Sequence, residues 1–478
     1  MKLTRMPLAL ALAAATGITA LAASTKFSDF IPLASSAAPL PVDSPEEGTP
    51  ITLSNPKWSQ RTLADRRTQN SLVANSNSGS FDMIASNATG PNAGRYLFMP
   101  FETNTAGVQR IDTQDPHYDT RTVTIVQPGT QGFVSGDASR WTPWGGYLTA
   151  EESWGTGSVK GRLFEITNPI TAGQYSGDFV WRRIIPRVSH EGLAFDKDNT
   201  FYFIDELNGG SIYKYVSANP DATSGDEFFA AGQTFALRVG AGGQNEGNNA
   251  PAITGAATWV AITNETGGAI PGVSAVLPDG TIDGRVSADN AAVKATGYNR
   301  PEDIELQTLA DGTQLLYFNT TDSDVNASEA DGNSRTYNIN LSTNVVTLFA
   351  APQTIDLATG VAVAGGFRNA DNLAIDHEGN MYIVEDRPGG QDDDIWFAAD
   401  LNKDGDLNDP GEGLARWVSN GTAGSEFTGL YFDLRNPNIA YVNIQHPSSN
   451  VDRTIEIMAS PNLEKGNSDK GNNGNGNN

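Results

Sequence analysis

Apolar positions along this chain fall in short runs of four to six residues, and the runs come in pairs. Residues 192–196 are followed by 200–204, 304–307 by 314–318, 373–376 by 381–384, and 430–433 by 439–444. Polar turns such as 196–199 and 376–380 join the two members of a pair. Short β-rich runs joined by polar turns predict hairpins. Helix-period patterns are scarce, and 50 glycines with 25 prolines add turn signals throughout. Hairpins repeated at irregular spacing predict an all-β chain, a β-propeller with loop insertions. The competing architecture is an elongated β-sandwich array, whose loops would not converge on one centre. The Gly- and Asn-rich stretch 240–255 reads as a long excursion between blades.

An acidic residue recurs just before five strand-like segments, 142–152, 192–206, 303–321, 373–386 and 429–446. The leading residues are Asp137, Glu191, Glu302 with Asp303, Asp371 with Asn372, and Glu426. Three segments also end in carboxylate pairs, Glu151-Glu152, Asp205-Glu206 and Glu385-Asp386. In a radial fold such positions aim loops at one shared, oxygen-rich site, which suits hard cations. Asp205, Glu385 and Asp386 join the candidates by blade position.

The net charge of −25 and pI near 4.4 argue against nucleic acid or an anionic membrane as partner. The absence of cysteine excludes disulfides, zinc–thiolate sites and cysteine nucleophiles. Lys2 and Arg5, the apolar stretch 7–21 and Ala20-Leu21-Ala22 predict a cleaved signal peptide over residues 1–23. The mature protein is therefore expected to be secreted or periplasmic and free of the membrane. Residues 24–57 read as a linker or edge segment, 58–462 as the propeller domain, and 463–478 as a disordered Gly/Asn-rich tail.

Other motifs carry chemistry of their own. Asp400, Asn402, Asp404, Gly405, Asp406 and Asn408 place oxygen ligands at alternate positions around a central glycine. Gly411 occupies the twelfth position and Glu412 comes one residue late, so a calcium-binding loop is expected without an EF-hand; a plain Asp/Asn/Gly turn is the alternative. His377 is expected in a solvated turn, and His190 and His446 in structural roles. The hydrolase elbow, phosphate-binding loop and dinucleotide fingerprints are absent. In Arg300-Pro301-Glu302-Asp303 the proline stiffens a turn that could hold a metal-ligating carboxylate beside a guanidinium, a fit for phosphate. An ordinary Arg–Glu surface pair is the alternative.

Several of these stretches together resemble the PhoX-type, calcium-dependent alkaline phosphatases. The matching residues are Thr142-Pro143-Trp144-Gly145 through Glu151-Glu152, His190-Glu191-Gly192, Arg300-Pro301-Glu302-Asp303, Asp371-Asn372-Leu373 and Ile444-Gln445-His446-Pro447. They follow the family's order over about residues 130–450. The resemblance implies a propeller of about six blades, a mouth-bound cluster of iron and calcium, and hydrolysis of small phosphate monoesters. Carried residue by residue, it implies Glu191 and Glu302 as ligands of the catalytic metals and Arg300 as the phosphate-binding guanidinium. Glu151, Glu152, Asp371, Asn372 and Glu426 become calcium or bridging ligands.

Two features depart from that family. Asp137 stands where the family has a cysteine iron ligand, and no twin-arginine pair precedes the apolar stretch. A carboxylate in place of a thiolate favours harder cations. The reading is thus a diverged member, a secreted metal-dependent phosphomonoesterase using Ca²⁺, with iron or another divalent metal as the further candidate. A calcium-dependent propeller lactonase or esterase, and a non-catalytic calcium-stabilised propeller, are the alternatives. The oligomeric state stays open.

Overall fold

The computed structural model describes residues 26–246, 251–321, 334–387 and 393–459. The signal-peptide segment and the C-terminal tail fall outside the described residues. What is described is built almost wholly from antiparallel strands in a propeller-like arrangement.

Among the described residues, six strands begin successive antiparallel meanders, here called blades: Ala85–Ser86, Gly136–Trp141, His190–Phe195, Pro301–Thr308, Ala370–Ile375 and Glu426–Phe432. From the second blade onward, neighbouring members of this set pack on one another in chain order, which makes them the innermost strands. Between the last blade and the first, Thr428 Oγ1 donates to the Phe81 carbonyl at 2.6 Å and Asn443 Nδ2 to the Asp82 carbonyl at 2.6 Å. The ring also closes through the chain. Ser59–Asp65, near the N-terminal end, forms the outer strand of the last blade by pairing with Arg453–Met458.

Apolar side chains on facing sheets form the core between blades. Tyr202, Ile204 and Leu237 meet Leu316, Phe318 and Tyr337 between the third and fourth. Tyr382, Val384 and Trp417 meet Phe427, Val442 and Ile455 between the fifth and sixth. Fully burying one such side chain is worth about 1.5–3 kcal/mol, so each interface is a substantial share of the fold's stability. The segment 26–57 is tied to this core. Phe27 lies 5.4 Å, ring centre to ring centre, from both Trp58 and Trp417, and Ile51–Leu53 pairs with Gly413–Asn420 at the outer edge of the fifth blade.

One expectation is corrected. The 240–255 stretch turns within one blade, between Gly232–Val239 and Gly255–Ala261, with 247–250 outside the described residues. Gly255–Ala261 also pairs with Val345–Ala350, joining the outer edges of the third and fourth blades. The long excursion between those blades is instead 262–297. His377, expected in a solvated turn, is exposed in the turn between Ala370–Ile375 and Met381–Glu385, with its Nε2 2.8 Å from the Asp433 carbonyl.

Candidate metal centre

The inner strands share a device at their first residues. Pairing with the second strand slips by a bulge between Gly136 and Ser139, His190 and Leu193, Pro301 and Ile304, and Ala370 and Leu373. The two residues skipped in each case include Asp137, Glu191, Glu302 or Asp371. A bulge bends the strand and re-aims a side chain. Here it takes these carboxylates out of the ladder and turns them to the channel mouth. The backbone before them is unusual as well. Ser80, Ser135, Arg300 and Asn369, each two residues ahead of Asp82, Asp137, Glu302 or Asp371, have positive φ between 40° and 48°. Such backbone costs about 1–3 kcal/mol at a non-glycine residue, and its repetition marks a constrained rim.

Among the described residues, ten carboxylates meet there: Asp82, Glu102, Asp137, Glu152, Glu191, Glu206, Glu302, Asp371, Asp386 and Glu426. Oxygens of Glu152, Glu191 and Glu206 lie within 4.8 Å of one another, as do those of Glu191, Glu302 and Asp371. Glu191 belongs to both groups. Burial first, and then mutual repulsion, pushes Asp82, Asp137, Glu191, Glu206 and Asp371 well above the usual carboxylate range. Glu302 is pushed up to about 7 by its burial, with Arg300 pulling the other way.

Cations answer that arrangement. Asp137 Oδ1 is buried without a hydrogen-bond partner, and crowded carboxylate oxygens are the ligands hard divalent cations take. The residues present therefore fit a metal centre of oxygen donors.

The Arg300 guanidinium faces the carboxylates. Arg300 Nε donates to Glu206 Oε1 at 3.1 Å, Nη2 pairs with Glu206, and Nη2 lies 3.3 Å from Glu302 Oε1. Thr321 Oγ1 donates to Glu302 Oε1 at 2.6 Å, fixing the carboxylate from its other side. Trp154 lies over the guanidinium, 4.8 Å from ring centre to Cζ, and its indole N–H donates to Glu152. Burial opposes the charge on Arg300, but Glu302 and Glu206 raise its pKa further, so it stays a cation.

The structure divides the residues singled out from sequence. Asp137, Glu152, Glu191, Arg300, Glu302, Asp371 and Glu426 come together at the mouth. Asp137 is 5 % exposed, which rules out a solvated loop position. Asn372 turns to the neighbouring blade, where its Oδ1 accepts from Gly429 N at 2.5 Å. Glu151 is held by Arg162, whose Nε donates to its Oε2 at 2.8 Å. Glu385 accepts from the Arg368 and Asp394 backbone N–H groups and the Trp396 indole, and Asp205 accepts from Ser189 N at 3.0 Å. In each strand-end pair the first carboxylate braces the sheet and the second, Glu152, Glu206 or Asp386, reaches the mouth.

The 400–412 loop lies at the opposite end of its blade, after the strand Asp394–Ala399 has run away from the mouth. Asp400 accepts from Gly405 N at 3.0 Å and Asp404 N at 3.3 Å, while Asn402 Nδ2 donates to Asp404 Oδ2 at 2.9 Å. Glu412 takes three backbone N–H groups, which fixes the loop's shape. His190 is fully buried, with burial driving its pKa down to about 3. His446, by contrast, reaches the mouth and pairs with Glu426. Asp82 and Glu102 were not among the sequence candidates, and Glu206 was noted only as the second member of a strand-end pair. Phe81-Asp82-Met83-Ile84 and Phe101-Glu102 carry the same acid-beside-apolar signal in the first blade, on strands too short to stand out.

A family model described as alkaline phosphatase PhoX matches residues 132–448. The chain belongs to the PhoX alkaline phosphatase family. A solved PhoX from Pseudomonas fluorescens, in complex with vanadate, superposes with a TM-score of 0.60 at 16 % identity, covering 91 % of this chain and 98 % of that one. That likeness bears on the fold. Virginiamycin B lyase from Staphylococcus aureus covers 84 % of this chain and 99 % of its own at 9 % identity and a TM-score of 0.40. A gluconolactonase from Xanthomonas campestris covers 90 % and 96 % at 9 % identity and the same TM-score of 0.40. No curated protein sequence matches the chain. The PhoX family is metal-dependent and implies small phosphate esters as substrates; the acidic mouth of this PhoX-family chain provides residues that could bind the metal.

Proposed function

We propose that this PhoX-family chain is a secreted or periplasmic phosphomonoesterase whose mouth carboxylates hold divalent cations, Ca²⁺ foremost. The observation that carries the reading is Arg300 fixed between Glu206 and Glu302, on the rim of two oxygen groups that share Glu191. A phosphate monoester is a dianion, and a rim of ten carboxylates would repel it unless cations balanced the charge. Glu152, Glu191, Glu206, Glu302, Asp371 and Asp137 would hold those cations. When bound, they supply Lewis-acid polarisation of the phosphoryl group and neutralise its charge.

The chain's own residues do the rest. Arg300 Nη1 takes no part in the bonds to Glu206 and Glu302, so that edge can donate to phosphoryl oxygens. The guanidinium is pre-oriented, and charge developing in the transition state meets a donor that need not reorganise. Thr321 keeps Glu302 from rotating away. The Pseudomonas fluorescens PhoX binds vanadate, a transition-state analogue, which supports phosphoryl transfer as the chemistry. Lys2, Arg5 and the apolar stretch 7–21 support export.

Phosphate release from a phosphomonoester by the cation-loaded protein tests the reading. Arg300→Ala should lower kcat/KM by about 10²–10³, the loss seen on removing other electrostatic donors, with cation content retained. Glu302→Gln should lose cations as well as rate. Cation binding without any turnover would favour the non-catalytic, calcium-stabilised reading instead.

A further inference from the structure

Trp154 is the only aromatic residue among the exposed large hydrophobic side chains of the described residues, at 43 % exposure, and it sits beside Arg300. Covering Arg300 accounts for one face of this exposed indole and leaves its 43 % exposure at the rim of a carboxylate-lined mouth without a packing role. Its placement is nonetheless firm. One face covers the Arg300 guanidinium, and the ring N–H donates to Glu152.

The loop carrying it is braced from the excursion between the third and fourth blades. Arg285 Nη1 donates to the Ser153 carbonyl and Nη2 to the Ser158 carbonyl, both at 2.9 Å. Asp283 accepts from Gly157 N at 2.6 Å and also pairs with Arg285. Arg187, itself paired with Asp279, donates to the Val159 carbonyl. Val159, 50 % exposed, adds apolar surface to the same loop.

Resting on the phosphatase reading, we propose that Trp154 is a specificity-determining residue whose exposed face stacks on a planar ring in the leaving group, so that aryl or nucleoside monophosphates are preferred over aliphatic ones. With the phosphoryl group bound by Arg300 and the cations, the leaving group points out of the mouth, where, among the described residues, the Trp154 indole offers a flat exposed apolar surface beside Arg300. A rigid ring, already oriented by its hydrogen bond and its guanidinium, loses little freedom when a second ring stacks on it. Stacking on an aromatic side chain is sequence- and substituent-tolerant because every such ring offers a π-face.

The test compares kcat/KM of the cation-loaded wild type, Trp154→Ala and Trp154→Phe on phenyl phosphate, adenosine 5′-monophosphate and glycerol 2-phosphate. Trp154→Ala also uncovers Arg300, so all three rates should fall. The ring-bearing substrates should fall about tenfold further than glycerol 2-phosphate, and Trp154→Phe should restore most of that difference. An excess loss confined to phenyl phosphate places the ring next to the ester oxygen; one confined to the nucleotide places a base there. Equal losses on all three substrates would reduce Trp154 to a support for Arg300 and overturn the inference, leaving the phosphatase reading intact. A wild type that releases phosphate from none of them overturns both.

Discussion

At the residue scale the mouth stores electrostatic conflict that bound cations would relieve. Glu302 titrates near 7 where an unburied glutamate would titrate at 4.5. In the cation-free protein the folded state therefore keeps a proton that the unfolded chain releases between those two values. The folded state binds more protons across that window, so stability falls as pH rises through it. Asp82, Asp137, Glu191, Glu206 and Asp371 shift in the same direction. With chelator present, the melting temperature should drop from pH 5 to pH 8, and added Ca²⁺ should flatten that trend. A chelated protein that grows more stable over the same range would contradict this account of the mouth. Asp137→Asn is the matching substitution: it keeps the shape, removes one charge, and should weaken cation retention while raising cation-free stability at pH 8.

At the element scale the first residues of each inner strand do two jobs, and they explain the glycine after Glu191. A Cβ on Gly192 would stand 2.0 Å from Ile304 N and 2.6 Å from the Asp303 carbonyl carbon, both backbone atoms of the next inner strand. Neighbouring bulges are thus in direct contact, and Asp303 Oδ2 extends the link by accepting from Leu373 N at 2.9 Å. Gly192→Ala should cost about 1–3 kcal/mol, the usual range for overpacking, read as a lower denaturant midpoint. It should also weaken cation binding, because Glu191 and Glu302 flank the clash. Gly173→Ala, where the nearest atom is Ser176 Oγ at 3.6 Å, should leave both nearly unchanged. Comparable effects from the two substitutions would show that the close approach of the third and fourth blades does not set the site.

On the scale of the whole molecule, six blades contribute to one rim, so cations would act as a clasp between parts of the ring distant in sequence. Ligands binding only the folded state stabilise it by mass action, about 2.7 kcal/mol at a hundredfold excess over Kd. Thermal melts with and without a chelator should separate clearly, and coincident melts with no bound metal by elemental analysis would count against a metal centre. The ring's other fastening is the strand Ser59–Asp65 on Arg453–Met458. Deleting residues 26–65 would remove it along with Phe27 and Trp58 from the core, and should abolish the cooperative transition.

The sequence by itself determined the strand pairs, the all-β class and the acidic character of the inner-strand heads, because alternation and turn chemistry are local. It also put Arg300 beside Glu302, since one rigid turn carries both. Which carboxylate of each pair faces the mouth was decided only by tertiary structure. Side chains alternate along a strand, so a one-residue choice of register sends Glu151 to Arg162 and Glu152 to the rim. Asp400, Asn402 and Asp404 read as a calcium-binding loop by spacing; only the fold shows that the blade carries this loop to the end away from the mouth, with Asp400 accepting from the Asp404 and Gly405 backbone. Asp82 and Glu102 joined the rim through ring closure between the first and last blades, a contact that no local pattern encodes. Trp154 was one aromatic among many until the fold set it over Arg300: exposure and stacking are properties of the assembled surface, and they exist only once distant segments have met.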